Sequence, residues 1–197
     1  MLVFAREVYV CLCPTDVAPR SPAELELDAP VRFRRGAADD LARLDRDHHD
    51  DAHLSELAER LDRGEYWLLA EVDGEVVGYT WLHARPTASY PSLPGCTIAL
   101  GPDTGYGYDA WTAPSHRGRG VRRAGFVEEL RVLAGWGKRW EASFFVKHQL
   151  DGATRSLAAA GIAVMPIWRI YLAEDRTLAA EQLAESDAVR PTFVTAA

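Results

Sequence analysis

Thr112-Ala113-Pro114-Ser115-His116-Arg117-Gly118-Arg119-Gly120-Val121-Arg122-Arg123 is the stretch on which the reading of this chain turns. Before it, Tyr106 to Thr112 reads as a strand. After it, Phe126, Leu130 and Leu133 mark one face of a helix over Val121 to Ala134. Glycines at a strand-to-helix turn let the backbone approach a ligand closely. The helix start presents N–H groups with no carbonyl ahead of them and a partial positive charge. Arg117, Arg119, Arg122 and Arg123 add cationic charge, so the segment has the makings of a pyrophosphate cradle. It is neither G-x-x-x-x-G-K-[ST] nor G-x-G-x-x-G, and a solvent-exposed basic turn is the plainer alternative.

Outward from this segment, strands and helices alternate. Leu2 to Leu12 reads as a strand, and Pro14, Pro19, Pro22 and Pro30 mark a connecting arm. Val31 to Arg34 alternates apolar and basic residues. Leu54, Leu57, Ala58 and Leu61 define a helix that Gly64 ends. Tyr66 to Val72 and Val76 to Leu82 form a hairpin around Asp73-Gly74, residues that tolerate the positive φ of a tight turn. Residues 84 to 95 read as a long loop, the opening of a lid or acceptor loop with Tyr90 at 84 to 105. Thr97 to Leu100 is expected to pair with Tyr106 to Thr112. Glu141 to Val146 and Ile162 to Leu172 read as strands, Gly152 to Ala160 as a short helix. An acidic, alanine-rich helix or tail is expected over 173–197. The order implies a mixed α/β, partly antiparallel sheet flanked by helices.

Composition narrows the function. The chain has 197 residues, 48% hydrophobic and 26% charged, which fits one globular domain with additions. Its net charge of -7 argues against nucleic acid as a partner and against a duplex-binding role for the arginine cluster. No run approaches the ~18 apolar residues of a membrane span. Three cysteines make no disulfide framework, so a cytoplasmic setting is expected. His49 and His53 stand at a spacing zinc can use, but Asp50 and Asp51 read as helix caps, and Cys11, Cys13 and Cys96 are too few for a closed zinc site. No metal is expected.

The chain resembles the GNAT superfamily of acyl-CoA-dependent N-acyltransferases. Its fingerprint is [QR]-x-x-G-x-[GA], usually preceded by V-x-P; here Thr112-Ala113-Pro114 precedes, Arg117 to Gly120 match, and the pattern departs at Arg122, whose side chain must point away for coenzyme A to fit. Val31 to Arg34 followed by Asp39-Asp40-Leu41 is similar to the family's first strand and helix, and the Asp73-Gly74 hairpin to its second and third strands. Val146, Ala153, Leu157 and Gly161-Ile162 fall at the spacing of a second motif, with Leu150 where the family has asparagine and Leu157 where it has tyrosine. The resemblance covers 31–172, leaving 1–30 as an N-terminal extension expected to add an edge strand or to mediate a homodimer, and 173–197 as the tail.

The resemblance implies a GNAT-like sheet with strands four and five splayed. Acetyl-CoA, or another acyl-CoA, would lie in that gap as co-substrate. Ala110, Trp111 and Thr112 would then lie nearest the pantetheine, and Arg117, Gly118, Arg119, Gly120, Val121, Arg122 and Arg123 would hold the pyrophosphate. A backbone N–H near Ala110 would polarise the thioester carbonyl. The acceptor is a small-molecule or peptide amine that must lose a proton before it attacks. Asp109 is the candidate base, on the strand face with Gly107 and Trp111, or else a structural hydrogen-bonding residue at the splay. His148 or solvent would protonate the leaving thiolate, and a surface role for His148 stays open. Trp67, Trp81 and Trp111 are candidates for an acceptor wall or for the core. The implied activity is N-acetyl transfer, with a non-catalytic acyl-CoA-binding or regulatory module as the alternative.

Overall fold

The computed structural model describes residues 6–16, 25, 27, 30–44, 48–89, 96–172 and 177–193. The chain divides into two compact units, one of residues 1–19, 84–106 and 130–197, the other of 20–83 and 107–129.

In the first unit, β1 (Arg6–Pro14), β8 (Trp140–Val146), β9 (Met165–Leu172) and β10 (Thr177–Gln182) form antiparallel ladders in the order β10-β9-β1-β8. The N-terminal strand is therefore an interior strand, not the edge strand expected of an extension. Val8, Val10, Cys11, Leu12 and Cys13 are all buried, which explains the near-continuous apolar run: a strand covered on both faces has no polar side. Burial pushes the Cys11 thiol up to about 12, so it serves as a small core hydrophobe. The arm after β1 falls mostly outside the described residues.

Three further readings change. The strand β6 (Cys96–Leu100) does not pair with β7 (Thr104–Thr112). It joins a separate sheet in the order β11-β6-β5, with β5 (Thr87–Ser89) and β11 (Val189–Phe193). Within the predicted lid at 84–105, residues 90–95 with Tyr90 lie outside the described residues, while 87–89 and 96–100 are the strands β5 and β6. The C-terminal segment contributes β10 and β11 where a helix or tail was expected. Pairing with β9 and with β6 overrides its alanine-rich helix propensity, and Arg169 Nη2 on β9 donates to Glu181 on β10 at 2.6 Å. The strands β1, β10 and β11, all outside 31–172, thus belong to the first unit. Helix α3 (Lys147–Ala158) begins directly after β8, five residues before the expected start at Gly152.

In the second unit the order is β7-β4-β3-β2, with β2 (Arg32–Arg35), β3 (Tyr66–Val72) and β4 (Glu75–His83) antiparallel in the expected hairpin. Asp73 and Gly74 take φ of 51° and 82°, the conformation that turn demands. Trp67 and Trp81 stack at 5.3 Å between ring centroids and are fully buried, so they are core and not an open acceptor wall. Helix α1 (Asp51–Asp62) covers them with Leu54 and Leu57, and Asp50 caps it by accepting from the His53 N–H at 2.8 Å. The expected helix at Asp39 to Leu41 is a short 3-10 helix over Ala38–Arg43, held by the Asp40 carboxylate between Arg34 and Arg43.

Strand β7 begins in the first unit and ends in the second. Its parallel ladder with β8 runs from Thr104↔Trp140 to Tyr106↔Ala142 and goes no further, although β8 continues to Val146 against β1. Helix α2 (Val121–Gly135) follows, with Phe126, Leu130 and Leu133 buried as its periodicity requires.

Because β1 is interior, Leu12→Ala is expected to cost about 3 kcal/mol in a urea titration. An extension merely tethered to the surface would give a change under about 0.5 kcal/mol.

Candidate active site

The turn between β7 and α2 has the geometry the sequence implied. Pro114–His116 forms one 3-10 turn, with the His116 N–H donating to Ala113 O at 2.8 Å. Gly118 and Gly120 then take φ of 77° and 80°. A Cβ at Gly118 would meet no atom within 4 Å, so the glycine is required by backbone conformation and not by space. The Ala124 N–H donates to Gly120 O at 2.9 Å as the first full helical bond, which leaves the N–H groups of Val121, Arg122 and Arg123 at the open helix end. Arg117 and Arg119 are exposed, and Arg117 Nε donates back to Thr112 O at 3.1 Å, bracing the turn against the strand end. The turn can hold a phosphate by backbone donors with cationic charge around it.

Arg122, where the fingerprint departs, is drawn along the helix. Its guanidinium pairs with Glu129 two turns on and lies over the Phe126 ring at 5.1 Å. It does not cross the turn, so the departure does not block the cradle. Beside that pair is a small cavity of about 20 Å³, lined by Phe33, Ala70, Gly78, Val121 and Gly125. That is room for about one water and for no substrate.

The end of β7 supplies the second part. Ala110 is exposed, and Trp111 and Thr112 are half-buried. Asp109 has φ of 48°, inside a strand, where a non-glycine residue is strained. One of its carboxylate oxygens accepts from the buried Arg60 of α1, and Arg60 also donates to Glu56 at 2.6 Å. Burial opposes the charge on Arg60, but Glu56 and Asp109 outweigh it and hold the guanidinium protonated; Arg60 in turn pulls the Glu56 carboxyl below its usual range.

Strict alternation along β7 fails at this residue. Tyr108 and Trp111, three apart, pack against the same core cluster, because the positive φ at Asp109 resets the facing of the strand. Tyr108 donates to the buried Glu65 carboxylate.

Around Trp111 lies a group that the sequence reading did not assemble. Tyr79 stacks on Trp111 at 5.6 Å, and His49 meets Trp111 edge-on at 4.6 Å. The Nε2 atoms of His49 and His53 lie 3.2 and 3.0 Å from the Tyr79 hydroxyl. The i,i+4 histidines therefore converge on a phenol; among the described residues no group of three metal-type ligands occurs. Residues 45–47, just before His48, lie outside those residues. Arg60 had a readable signal, an arginine beside Leu57 and Leu61 on the apolar face of α1. Tyr79 had none beyond its strand position.

His148 is exposed on the first turn of α3, in the first unit, whereas Asp109 belongs to the second. Leu157, at the position of the motif tyrosine, is buried and its carbonyl accepts from Ile162 N–H at 2.9 Å, a packing role. Among the described residues no helix is long and apolar enough to cross a membrane.

Comparison with known proteins bears on the family and the fold. The model of the acetyltransferase (GNAT) family matches residues 32–125, from β2 into the first turns of α2. Among solved structures, a GNAT-family acetyltransferase from Colwellia psychrerythraea is 13% identical with a TM-score of 0.56 and covers 83% of this chain. The glucosamine N-acetyltransferase region of a fungal multi-domain β-N-acetylglucosaminidase is 16% identical with a TM-score of 0.59 and covers 82%. This chain spans 20% of the fungal protein and 54% of the Colwellia one, and at these identities the likeness is one of fold. No curated protein sequence matches significantly.

The Arg60 pairing predicts a stability effect. Asp109→Asn removes one of two counter-charges from a guanidinium whose side chain is 5% exposed, and should cost about 2 kcal/mol in chemical denaturation at pH 7. A change within about 0.5 kcal/mol would mean that Glu56 alone suffices.

Proposed function

We propose that this chain, which belongs to the GNAT superfamily through residues 32–125, transfers a short acyl group, most simply acetyl, from acyl-CoA to an amine. The observation that carries the reading is the β7–turn–α2 junction, where two positive-φ glycines precede an open helix N-terminus and a braced arginine. The residues present fit a pyrophosphate, since donors converge there and Arg122 is turned aside.

In this reading the N–H groups of 118 to 123, with Arg117, Arg119 and Arg123, hold the pyrophosphate. The exposed end of β7 at Ala110, Trp111 and Thr112 lies along the pantetheine. Acyl-CoA supplies an activated thioester carbonyl. A backbone N–H near Ala110 polarises that carbonyl, and the neutral amine attacks it. The C–N bond forms as the C–S bond breaks, and the thiolate takes a proton from water. Asp109, partly exposed, is positioned to accept the proton of the amine only if Arg60 shares it. The acceptor is a small-molecule or peptide amine, and a cytoplasmic setting provides acyl-CoA.

Two observations favour a second reading, an acyl-CoA-binding module without turnover: Leu157 is a packing residue, and Asp109 is engaged by Arg60.

Calorimetric titration with acetyl-CoA and with free coenzyme A tests the cradle. Saturable binding is expected, weakened at least about tenfold in Gly120→Val, where a β-branched residue must adopt a left-handed backbone. Absence of heat with both compounds overturns the reading. Thiol release across an amine panel that includes glucosamine then separates enzyme from binding module.

A further inference from the structure

The two histidines before and within α1 and the tyrosine of β4 make an arrangement that the reaction, as read above, leaves unused. His49 is 1% exposed, Tyr79 is 5% exposed, and His53 is partly open to solvent. The imidazole rings stack at 5.3 Å with 27° between their planes, and both Nε2 atoms face one hydroxyl. A phenol has a single proton. It can donate to one imidazole and accept from the other, so the three groups are joined in a directed chain. Reversing the direction moves one proton from Nε2 of one histidine to Nε2 of the other through the phenolic oxygen, with no movement of heavy atoms. The buried end of this chain, His49, is in edge contact with Trp111 on β7, next to the exposed Ala110. The other end, His53, is the solvent-facing one.

We propose that His49, Tyr79 and His53 form a proton relay, carrying the proton that an acceptor amine must lose from the Trp111 side of the site out to solvent. The inference rests on the acyl-transfer reading for its purpose, but not for its existence. The balance is simple: an ammonium gives H⁺ to His49, His49 Nε2–H passes one to the Tyr79 oxygen, and the Tyr79 O–H passes one to His53. The nitrogen lone pair is then free to form the C–N bond. Tyr79 stays neutral as a conduit, since burial first and the Asp109 charge second push its hydroxyl pKa up. Among the described residues, the charged and titratable groups around the relay include His48, Asp50 and Asp51 beside it in sequence, Glu56 and Arg60 on α1, and Asp109 on β7. Arg60 occupies Asp109, which makes a separate outlet for the proton chemically useful.

The test uses the intact chain and Tyr79→Phe, which keeps the ring on Trp111 and removes only the oxygen. In the first arm the histidine C–H resonances are followed by NMR against pH, with no ligand present. The relay predicts coupled, non-single-site curves for His49 and His53 in the native chain. The stacked rings repel as cations with or without the phenol, so Tyr79→Phe should leave the curves coupled but displace both, because each Nε2 loses its bond to the hydroxyl. Superimposable curves in the two proteins overturn the proposal. In the second arm acetyl transfer is measured at pH 7 to glucosamine, largely an ammonium ion there, and to hydroxylamine, largely neutral. Tyr79→Phe and His53→Gln should each lower transfer to glucosamine by about tenfold or more, the deficit closing as pH rises, and leave hydroxylamine within about threefold. Equal losses on both acceptors overturn the relay in favour of a structural role. A native chain that neither binds acetyl-CoA nor turns over any amine strikes the acyl-transfer reading, and the NMR arm still decides whether the relay exists.

Discussion

The ion pair between Arg60 and Asp109 is the constraint around which the second unit is arranged. A guanidinium this deeply buried needs counter-charges, because desolvation otherwise disfavours it by several kcal/mol. Glu56 supplies one from the same helix and Asp109 the other from the strand. Reaching Arg60 holds Asp109 in a left-handed conformation in mid-strand, at a cost of order 1 kcal/mol. That local reversal lets Tyr108 and Trp111 pack against one cluster and leaves Ala110 exposed between them. The Ala110 end of β7, its aromatic flank and the helix covering it are thus set by one electrostatic contact. Arg60 also lies over the rings of Trp81 and Tyr108, at 5.5 and 5.0 Å, so its position is fixed by packing as well as by charge.

Features with a local cause were legible in the sequence. The Asp73-Gly74 hairpin, the Asp50 cap, the Gly64 stop and the two turn glycines at 118 and 120 each follow from what a few adjacent residues can adopt. The apolar faces of α1 and α2 follow from periodicity. The destination of β1 was not legible, because its partners β8 and β9 lie more than 120 residues away and strand pairing leaves no local mark. Its doubly apolar composition was the one available hint. The C-terminal strands were hidden for a similar reason: alanine and glutamate favour a helix until a sheet edge offers a ladder.

The site was read unevenly. The phosphate turn could be built from residue types alone, and Arg122 looked like an obstacle only because its partner Glu129 was not visible without the helix in three dimensions. Asp109 was found by strand position, but alternation misjudged its neighbours. The His49–Tyr79–His53 group depends on β4 lying against the start of α1, a contact 26 residues or more apart in sequence. Buried titratable clusters of this kind mark candidate functional sites in their own right.

In the proposed reaction, backbone donors at the β7–α2 junction receive an acyl-CoA pyrophosphate. Amide NMR spectra of the ¹⁵N-labelled chain titrated with acetyl-CoA address it residue by residue. The largest shifts are expected at the amides of Gly118 to Arg123, with smaller ones at Ala110 to Thr112. Shifts confined to other segments, or none at saturating acetyl-CoA, would contradict it.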